Sequence, residues 1–321
     1  RMKILVTGAT GFLGTRLVEF LLNLHHEVIV LDSFWTGPES SLELFKTRTD
    51  CKPHKHDVID PFPDIQVDQI YHLACSASPK RFTEDPLKIL RTCFEGTRNA
   101  LDLAQRLRAR ILIASTSGKP NMTFPRPQTY WGNVSPYGPR ACYDEGKRAA
   151  EALAYAYQKQ HSTEVRIARI FNTYGPGMRP DDGRVIPNFI VAAFGESHMR
   201  VTGDSMKLTR SFQYVTDCVT SLVRLMGSNV RTPVNIGNDE ETRIWDLAHI
   251  VAGKVARTGR PMVAIEEAEA PPDDPVQIRP DLTFARTKLG VENTVSLDEG
   301  LELTVEWFRS HLTDPEGQLA C

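Results

Sequence analysis

Residues 3–14, KILVTGATGFLG, decide the fold. Lys3 to Thr7 is a short apolar run that stops at a glycine, as a strand buried on both faces of a parallel sheet does. The period then lengthens: Leu13, Leu17, Phe20, Leu21 and Leu24 recur at helical spacing, and residues 27–31 (EVIVL) make the next apolar run. Strand, glycine loop, amphipathic helix and strand in that order form one βαβ unit. Gly8, Gly11 and Gly14 fall at its first turn, where a dinucleotide-binding fold needs bare backbone close to a pyrophosphate. Side chains would block that approach, and the free amides and positive helix N-terminus would bind the phosphates. Glycines alone also serve ordinary tight turns, so the weight lies in the order of elements around them. Asp32 closes the second strand, 18 residues after Gly14. Its carboxylate can accept hydrogen bonds from ribose hydroxyls and would repel a 2′-phosphate, which selects NAD over NADP. The bland alternative for Asp32 is a loop cap.

Outward from this unit, residues 69–73 (QIYHL), 110–114 (RILIA) and 165–170 (VRIARI) are further buried-strand candidates separated by helical stretches. Alternating strands and helices predict an α/β fold, a Rossmann doubly wound parallel sheet. The chain has 321 residues, more than one hydrophobic core usually serves, so a smaller second lobe and a cleft between the two are expected. We place an NAD-binding Rossmann domain over residues 1–172, with segments returning at about 210–240, and a mainly substrate-binding C-terminal lobe over 173–321. Beyond Asn172 the sequence loosens into Gly-, Pro- and Asp-rich loops such as 174–182 (YGPGMRPDD) and 270–275 (APPDDP). Helical patterns over 221–226 and 297–308 belong to the first domain or are shared.

Hydrophobic residues at 41% and charged residues at 24% are ordinary for a soluble domain. A formal net charge of −2, with Lys and Arg scattered along the chain, offers no basic surface, so nucleic acid is not an expected partner. Cys51, Cys75, Cys93, Cys142, Cys218 and Cys321 include no pair at metal-ligand spacing. They read as reduced thiols, small and buried except at the terminal Cys321, and no metal is expected. No apolar run reaches the ~20 residues that span a bilayer. The expected location is cytoplasmic, with an anchor upstream of Arg1 left open.

Two Tyr-x-x-x-Lys matches occur, Tyr143 to Lys147 (YDEGK) and Tyr155 to Lys159 (YAYQK). Position separates them. Tyr143 opens a helix 27 residues after Thr116, in the cluster Ser115, Thr116, Ser117 at the C-terminal end of a strand, where such sheets bind ligands. Tyr155 lies mid-helix and reads as a packing residue. Oxidising an alcohol needs a base for its proton while hydride leaves the same carbon. A free phenol titrates near ~10, and Lys147, one helical turn on, favours its ionised form. Thr116 or Ser117 would hydrogen-bond the reacting oxygen.

TGATGFLG, the HLA of residues 72–74, STS and YDEGK together resemble the extended short-chain dehydrogenases acting on nucleotide sugars. IYHLACSASP, YWGNVSPYGPRACYDEGKR, RIFNTYGPGM, DGRVIPNFI, RSFQYVTD and PVNIGN are similar to the UDP-glucuronate decarboxylases that make UDP-xylose, a likeness running from the first strand to the helix ending near Phe308. The resemblance implies oxidation at C4 by bound NAD, loss of carbon dioxide from the β-keto acid, and reduction back to the sugar. It implies Thr116, Ser117, Tyr143 and Lys147 as catalytic residues. Gly8, Gly11, Phe12, Leu13, Gly14, Asp32, Asp57, Val58, Leu73 and Ala74 would hold the cofactor together with Tyr143 and Lys147. Asn172 would contact the nucleotide sugar and Arg210 its diphosphate, a task suited to a bidentate guanidinium.

Four positions depart from that pattern. Gly118 stands where the family has a catalytic glutamate, in a shorter loop. Ile278 stands where it has an arginine serving the carboxylate, with Arg279 one position over as a substitute whose side chain should point the other way in an extended segment. Gly177 replaces an arginine and Cys93 an asparagine. These departures leave open a relative that stops at a 4-keto sugar, epimerises at C4 or takes another carboxylated substrate, and an inactive paralogue binding NAD and a nucleotide sugar. A homodimer is expected, because Ala149, Ala150, Ala152, Leu153, Ala154 and Ala156 make the helix after Tyr143 apolar on more than one face.

Overall fold

In the computed structural model, which describes residues 1–117, 127, 129–130, 135–204, 207–269 and 277–312, a seven-stranded sheet organises the chain. Its strands are β1 (Lys3–Thr7), β2 (Glu27–Asp32), β3 (Cys51–Lys55), β4 (Gln69–His72), β5 (Arg110–Thr116), β6 (Val165–Ile170) and a last short strand, Val234–Ile236. Across the sheet they run Val234–Ile236, β6, β5, β4, β1, β2, β3, and every pair is parallel. The order reverses between β1 and β4, which opens a crevice beyond the carboxyl ends of the strands.

Alternation explains why the apolar runs are continuous. Ile4, Val6, Val28, Val30 and Leu112 enter one core with α1 (Phe12–Asn23) and the helix Val215–Gly227. Leu5, Ile29, Leu31, Ile111 and Ile113 enter another, with Ala100, Leu101 and Ala104 of the helix Thr97–Leu107. Successive side chains point to opposite faces and both are covered, so the middle of each strand is apolar, and most of the polar residues the sheet buries, such as Thr7, Asp32, His72 and Ser115, stand at the carboxyl ends of strands. Each such Leu, Ile or Val contributes about 1.5–3 kcal/mol by burial.

The strand at 27–32 extends one residue beyond its apolar run to take in Asp32, and β5 continues to Thr116. Two strands carry no apolar signature. β3 (CKPHK) is an edge strand whose last four residues are exposed, and a proline and lysines suit an edge. Val234–Ile236 has three residues, too few to show a period.

The Val215–Gly227 helix and the last strand belong to the layers of the main sheet although they follow Asn172. Residues Val185–Phe194, Ile244–Ala256 and Leu297–Leu312 form helices of the C-terminal region. Beside them lie a parallel pair, Met199–Thr202 with Ile265–Ala268, and a three-stranded ribbon, Glu241–Arg243, Thr209–Ser211 and Gln277–Ile278. Among the described residues, no helix is long and apolar enough to cross a membrane, and no group of three or more His, Cys, Asp or Glu could hold a metal ion. Gly118, the 270–275 loop and Cys321 lie outside the described residues.

Candidate active site

The crevice between the sheet and the C-terminal helices is a cleft of about 950 Å³. Gly8, Gly11, Phe12, Leu13, Gly14, Asp32, Asp57, Val58, Leu73 and Ala74 line one end; Thr116, Ser117, Tyr143 and Lys147 stand along it, and Asn172 and Arg210 line it too. All of these were proposed from the sequence. Arg279 is the exception.

The glycine turn is tightly folded. Gly8 has φ +67°, and a Cβ there would lie 2.8 Å from the Ala74 backbone. At Gly14 a Cβ would fall 2.1 Å from the Gly8 carbonyl oxygen, so helix and loop could not meet with any side chain present. Gly11 caps α1 without a side-chain hydrogen bond, and no acidic residue occupies the first turn. The leading amides of α1, which have no intrahelical partner, are thus left for an anion, and this cradle fits the pyrophosphate of NAD.

Asp32 is 8% exposed and accepts backbone N–H bonds from Thr10 (3.0 Å) and Phe34 (2.9 Å), one on each oxygen. It is therefore a loop brace, and the capping reading holds. A carboxylate has about four acceptor sites, so the brace leaves lone pairs for ribose hydroxyls on the cleft side. Burial pushes its carboxyl above the ordinary carboxylate value, against the pull of those amides. Asp57 carries an ion pair with Lys88 at the same end.

Tyr143 and Lys147 lie near the start of the helix Ala141–His161, 8% and 7% exposed. Lys147 Nζ donates to the Ala114 carbonyl of β5 at 2.7 Å and sits 5.9 Å from the centre of the Tyr143 ring. Thr116 lines the cleft beside Tyr143 and Lys147, so the three proposed groups face the same space. Burial raises the Tyr143 pKa, with Lys147 and Thr116 working against it, and the net direction is up. Lys147 does favour the phenolate, as expected, but desolvation of the buried phenol outweighs that one nearby cation. Burial also opposes the charge on Lys147, but Cys75, Cys93, Tyr143 and Glu151 together hold its ammonium above the usual value, so it stays protonated.

Several supports escaped the sequence reading. Phe82 stacks on the Tyr143 ring, centroids 4.7 Å apart and 19° between planes, and Arg140 covers the other ring at 5.1 Å. Nothing in the run around Phe82 marks it. Glu151 accepts from Ser115 at 2.6 Å and from both arms of Arg169 at 2.9 and 2.7 Å, tying the catalytic helix to β5 and β6. It was findable, since it lies four residues after Lys147 and shares its helix face. Tyr155 is 62% exposed under Lys159, so it is not the packing residue expected; among the described residues its face of the helix stays open.

The NAD dependent epimerase/dehydratase family matches residues 4–237. UDP-glucuronic acid decarboxylase 1 of Xenopus tropicalis is 47% identical over 97% of this chain and 73% of its own length. UDP-glucuronic acid decarboxylase 3 of Arabidopsis thaliana is 46% identical over 98% of this chain and 91% of its own. The chain belongs to the NAD dependent epimerase/dehydratase family, and within it to the UDP-glucuronic acid decarboxylases. A UDP-glucose 4-epimerase from Thermotoga maritima, solved with UDP-glucose, superposes with a TM-score of 0.86 at 26% identity, covering 97% of this chain and all of that one.

The positions at which the sequence resemblance implies departures fall at specific places around the cleft. Ile278 lines it, while Arg279 turns away to Glu241 at 3.4 Å and is absent from the lining, which corrects its assignment as a substrate residue. Extended backbone puts neighbours on opposite faces, so one of the two had to turn outward. Ile278 pairs in register with Arg210, which is 8% exposed and is the guanidinium on the cleft side of this ribbon. Gly177 has φ +94°, and a Cβ there would point at the Arg16 guanidinium, 3.6 Å away. Arg16 itself grips the Pro176 carbonyl with Nε and Nη2 at 3.3 and 3.1 Å. An arginine at 177 would face both the strained backbone and a like charge.

Proposed function

We propose that this protein is a UDP-glucuronate decarboxylase that oxidises the sugar at C4, releases carbon dioxide and reduces the product to UDP-xylose. The observation that carries it is Thr116, Tyr143 and Lys147 lining one cleft with the NAD cradle, in a chain 47% identical to a decarboxylase over almost its whole length.

NAD held by the Gly8–Gly14 turn and Asp32 would supply the oxidising power, as acceptor and then donor of hydride at C4. Tyr143 removes the C4 hydroxyl proton, and Thr116 donates a hydrogen bond to the same oxygen. Lys147, fixed by the Ala114 carbonyl, lowers the cost of charge on the phenol. The C4 ketone lies β to the carboxylate, so the pair of electrons freed as the C5–carboxyl bond breaks moves into that carbonyl. A proton then adds at C5. Arg210 holds the diphosphate, and its contact with the Thr209 carbonyl at 2.8 Å orients it.

One observation favours a second reading. Ile278 offers the carboxylate no cation where the family keeps one, and Arg279 faces away. A 4-keto sugar that escapes before losing carbon dioxide would follow. Incubating the protein with NAD and UDP-glucuronate and resolving products by mass spectrometry tests both. UDP-xylose with equimolar carbon dioxide supports the first, a 4-keto sugar or reduced cofactor the second, and an untouched sugar refutes both.

A homodimer completes the proposal. Ala152, Tyr155 and Ala156 form an exposed stripe on the Ala141–His161 helix. Leu87, Leu90 and Phe94, on segments packed beside that helix, are 71%, 40% and 41% exposed. Adjoining apolar faces of this kind suit a twofold contact of helices. Sedimentation giving a 36.0 kDa species at micromolar concentration would overturn it.

A further inference from the structure

Beneath the catalytic tyrosine two thiols meet that lie 18 residues apart in sequence. Cys75 Sγ and Cys93 Sγ are 3.1 Å apart. Cys75 directly follows the cofactor-lining Ala74 and itself lines the cleft, whereas Cys93 is 1% exposed and lies behind it. Cys93 belongs to a single π-turn, Thr92–Gly96, wound between two α-helices. Such turns carry weaker hydrogen bonding and recur at functional positions. On its far side Cys93 abuts Gly146, the residue before Lys147. A Cβ at 146 would lie 2.8 Å from Cys93 Cβ and 3.1 Å from its sulfur, so there is no slack between this thiol and the catalytic helix.

We propose that Cys75 and Cys93 form a peroxide-reactive thiol pair, closed by hydrogen peroxide to a disulfide that displaces the helix carrying Tyr143 and Lys147. The geometry is that of an accessible attacking sulfur with a buried resolving partner. The hydrogen bond shared with Cys93, together with the Lys147 charge, holds Cys75 below the ordinary thiol value against the desolvation of its sulfur, which favours the nucleophilic thiolate there. The Cys75 sulfur attacks one peroxide oxygen. The O–O bond breaks, and the departing hydroxide takes the Cys75 proton as water, leaving a sulfenic acid. The Cys93 sulfur then attacks Cys75, the S–S bond forms, the S–O bond breaks, and the second hydroxide leaves as water with the Cys93 proton. Two thiols are oxidised by two electrons and one peroxide is reduced to two waters.

Closure from 3.1 Å to a bond of ~2.05 Å draws the sulfurs together by about 1 Å. Cys75 is held by the strand-end backbone, where the Ala74 amide donates to Thr7 Oγ1 at 3.3 Å, so closure would pull on the π-turn packed against Gly146. Gly146 then loses its support, and the Lys147 bond to Ala114 with it. A shift of this size at reacting groups costs heavily in rate.

The thiol chemistry stands independently of the proposed function; only the turnover arm of the test rests on it. The whole reduced protein is treated with hydrogen peroxide, with and without NAD, and digested without reductant for peptide mapping by mass spectrometry. A single Cys75–Cys93 cross-link, loss of two free thiols, slower reaction with NAD present and full reversal by dithiothreitol are expected. UDP-glucuronate turnover falls several-fold in the cross-linked protein and returns on reduction. In Cys93→Ser, Cys75 should run on to sulfinic acid and reductant should no longer restore activity. Cys75 joined to Cys142 instead, or no cross-link at peroxide levels that oxidise methionine, overturns the pair. A clean cross-link with unchanged turnover overturns the displacement. If the reduced protein leaves UDP-glucuronate untouched, the functional reading fails while the peptide map still decides the thiol pair.

Discussion

The cofactor end of the cleft is built from backbone at the ends of a seven-stranded sheet, whereas the sugar end is built from side chains on ribbons of two or three residues per strand. At the first, a Cβ on Gly8 or Gly14 would lie 2.8 or 2.1 Å from backbone atoms, closer than any side chain can sit, so the residue type is dictated by geometry. At the second, Ile278 and Arg210 present side chains to the cleft from short ribbon strands, and nothing in that backbone dictates which residue type stands there. Backbone recognition tolerates no substitution, while side-chain recognition can be rewritten one residue at a time. The chemistry sits between them, on a long helix braced by Glu151 and Arg169.

The largest effect that would break this comparison is at its middle. Tyr143→Phe should lower kcat by about 10²–10⁴-fold, far more than it weakens NAD binding, measured by reduced-cofactor absorbance and calorimetry. Persistence of turnover within tenfold of the parent would place the base elsewhere.

Gly14→Ala tests the backbone end. The methyl must displace the Gly8 carbonyl or the Ala9 backbone, and overpacking of that kind costs about 1–3 kcal/mol. We expect a fall in Tm together with weaker NAD binding, and a variant as stable and as tight-binding as the parent would show that the turn has slack.

The same end should carry a pH signature. His72 is buried between Thr7 and Thr97, and burial, with the Lys147 charge, lowers its pKa to about 3. It is neutral in the folded chain, while the unfolded chain binds its proton below about 6.5. This contribution is whole above pH 6.5 and is lost as pH falls toward 3, at up to about 1.4 kcal/mol per pH unit. Thermal melts of His72→Gln between pH 7 and pH 4 should show a flatter decline than the parent; parallel declines would place the titration in other groups.

Asp32→Ala should narrow the preference for NAD over NADP by about tenfold, or ~1.4 kcal/mol, and should loosen the loops that Asp32 braces through Thr10 and Phe34. Equal affinities in the parent protein would remove its selective role and leave only the brace. The smallest effect belongs to the sugar end. Arg279→Ala removes a half-exposed pair with Glu241 at 3.4 Å, worth about 0–1 kcal/mol, and KM for UDP-glucuronate should move by less than about twofold. A tenfold rise would bring Arg279 back into the cleft.

The amino-acid sequence by itself determined the strands of the sheet's interior, the glycine turn, Asp32 and the Tyr143–Lys147 pair, because periodicity and fixed spacing along one element are local properties of a chain. β3 escaped because an edge strand has no buried face to mark it, and Val234–Ile236 because three residues have no period. Tertiary structure alone decided which of Ile278 and Arg279 faces the cleft, since alternation says only that they differ and the register against Arg210 chooses between them. It decided the sign of the Tyr143 shift, which depends on how completely water is excluded as well as on the lysine one turn away. It also brought Cys75 against Cys93, two thiols with nothing in their spacing to pair them, because the strand end that bears one and the π-turn that bears the other converge only when the sheet and its helices have packed.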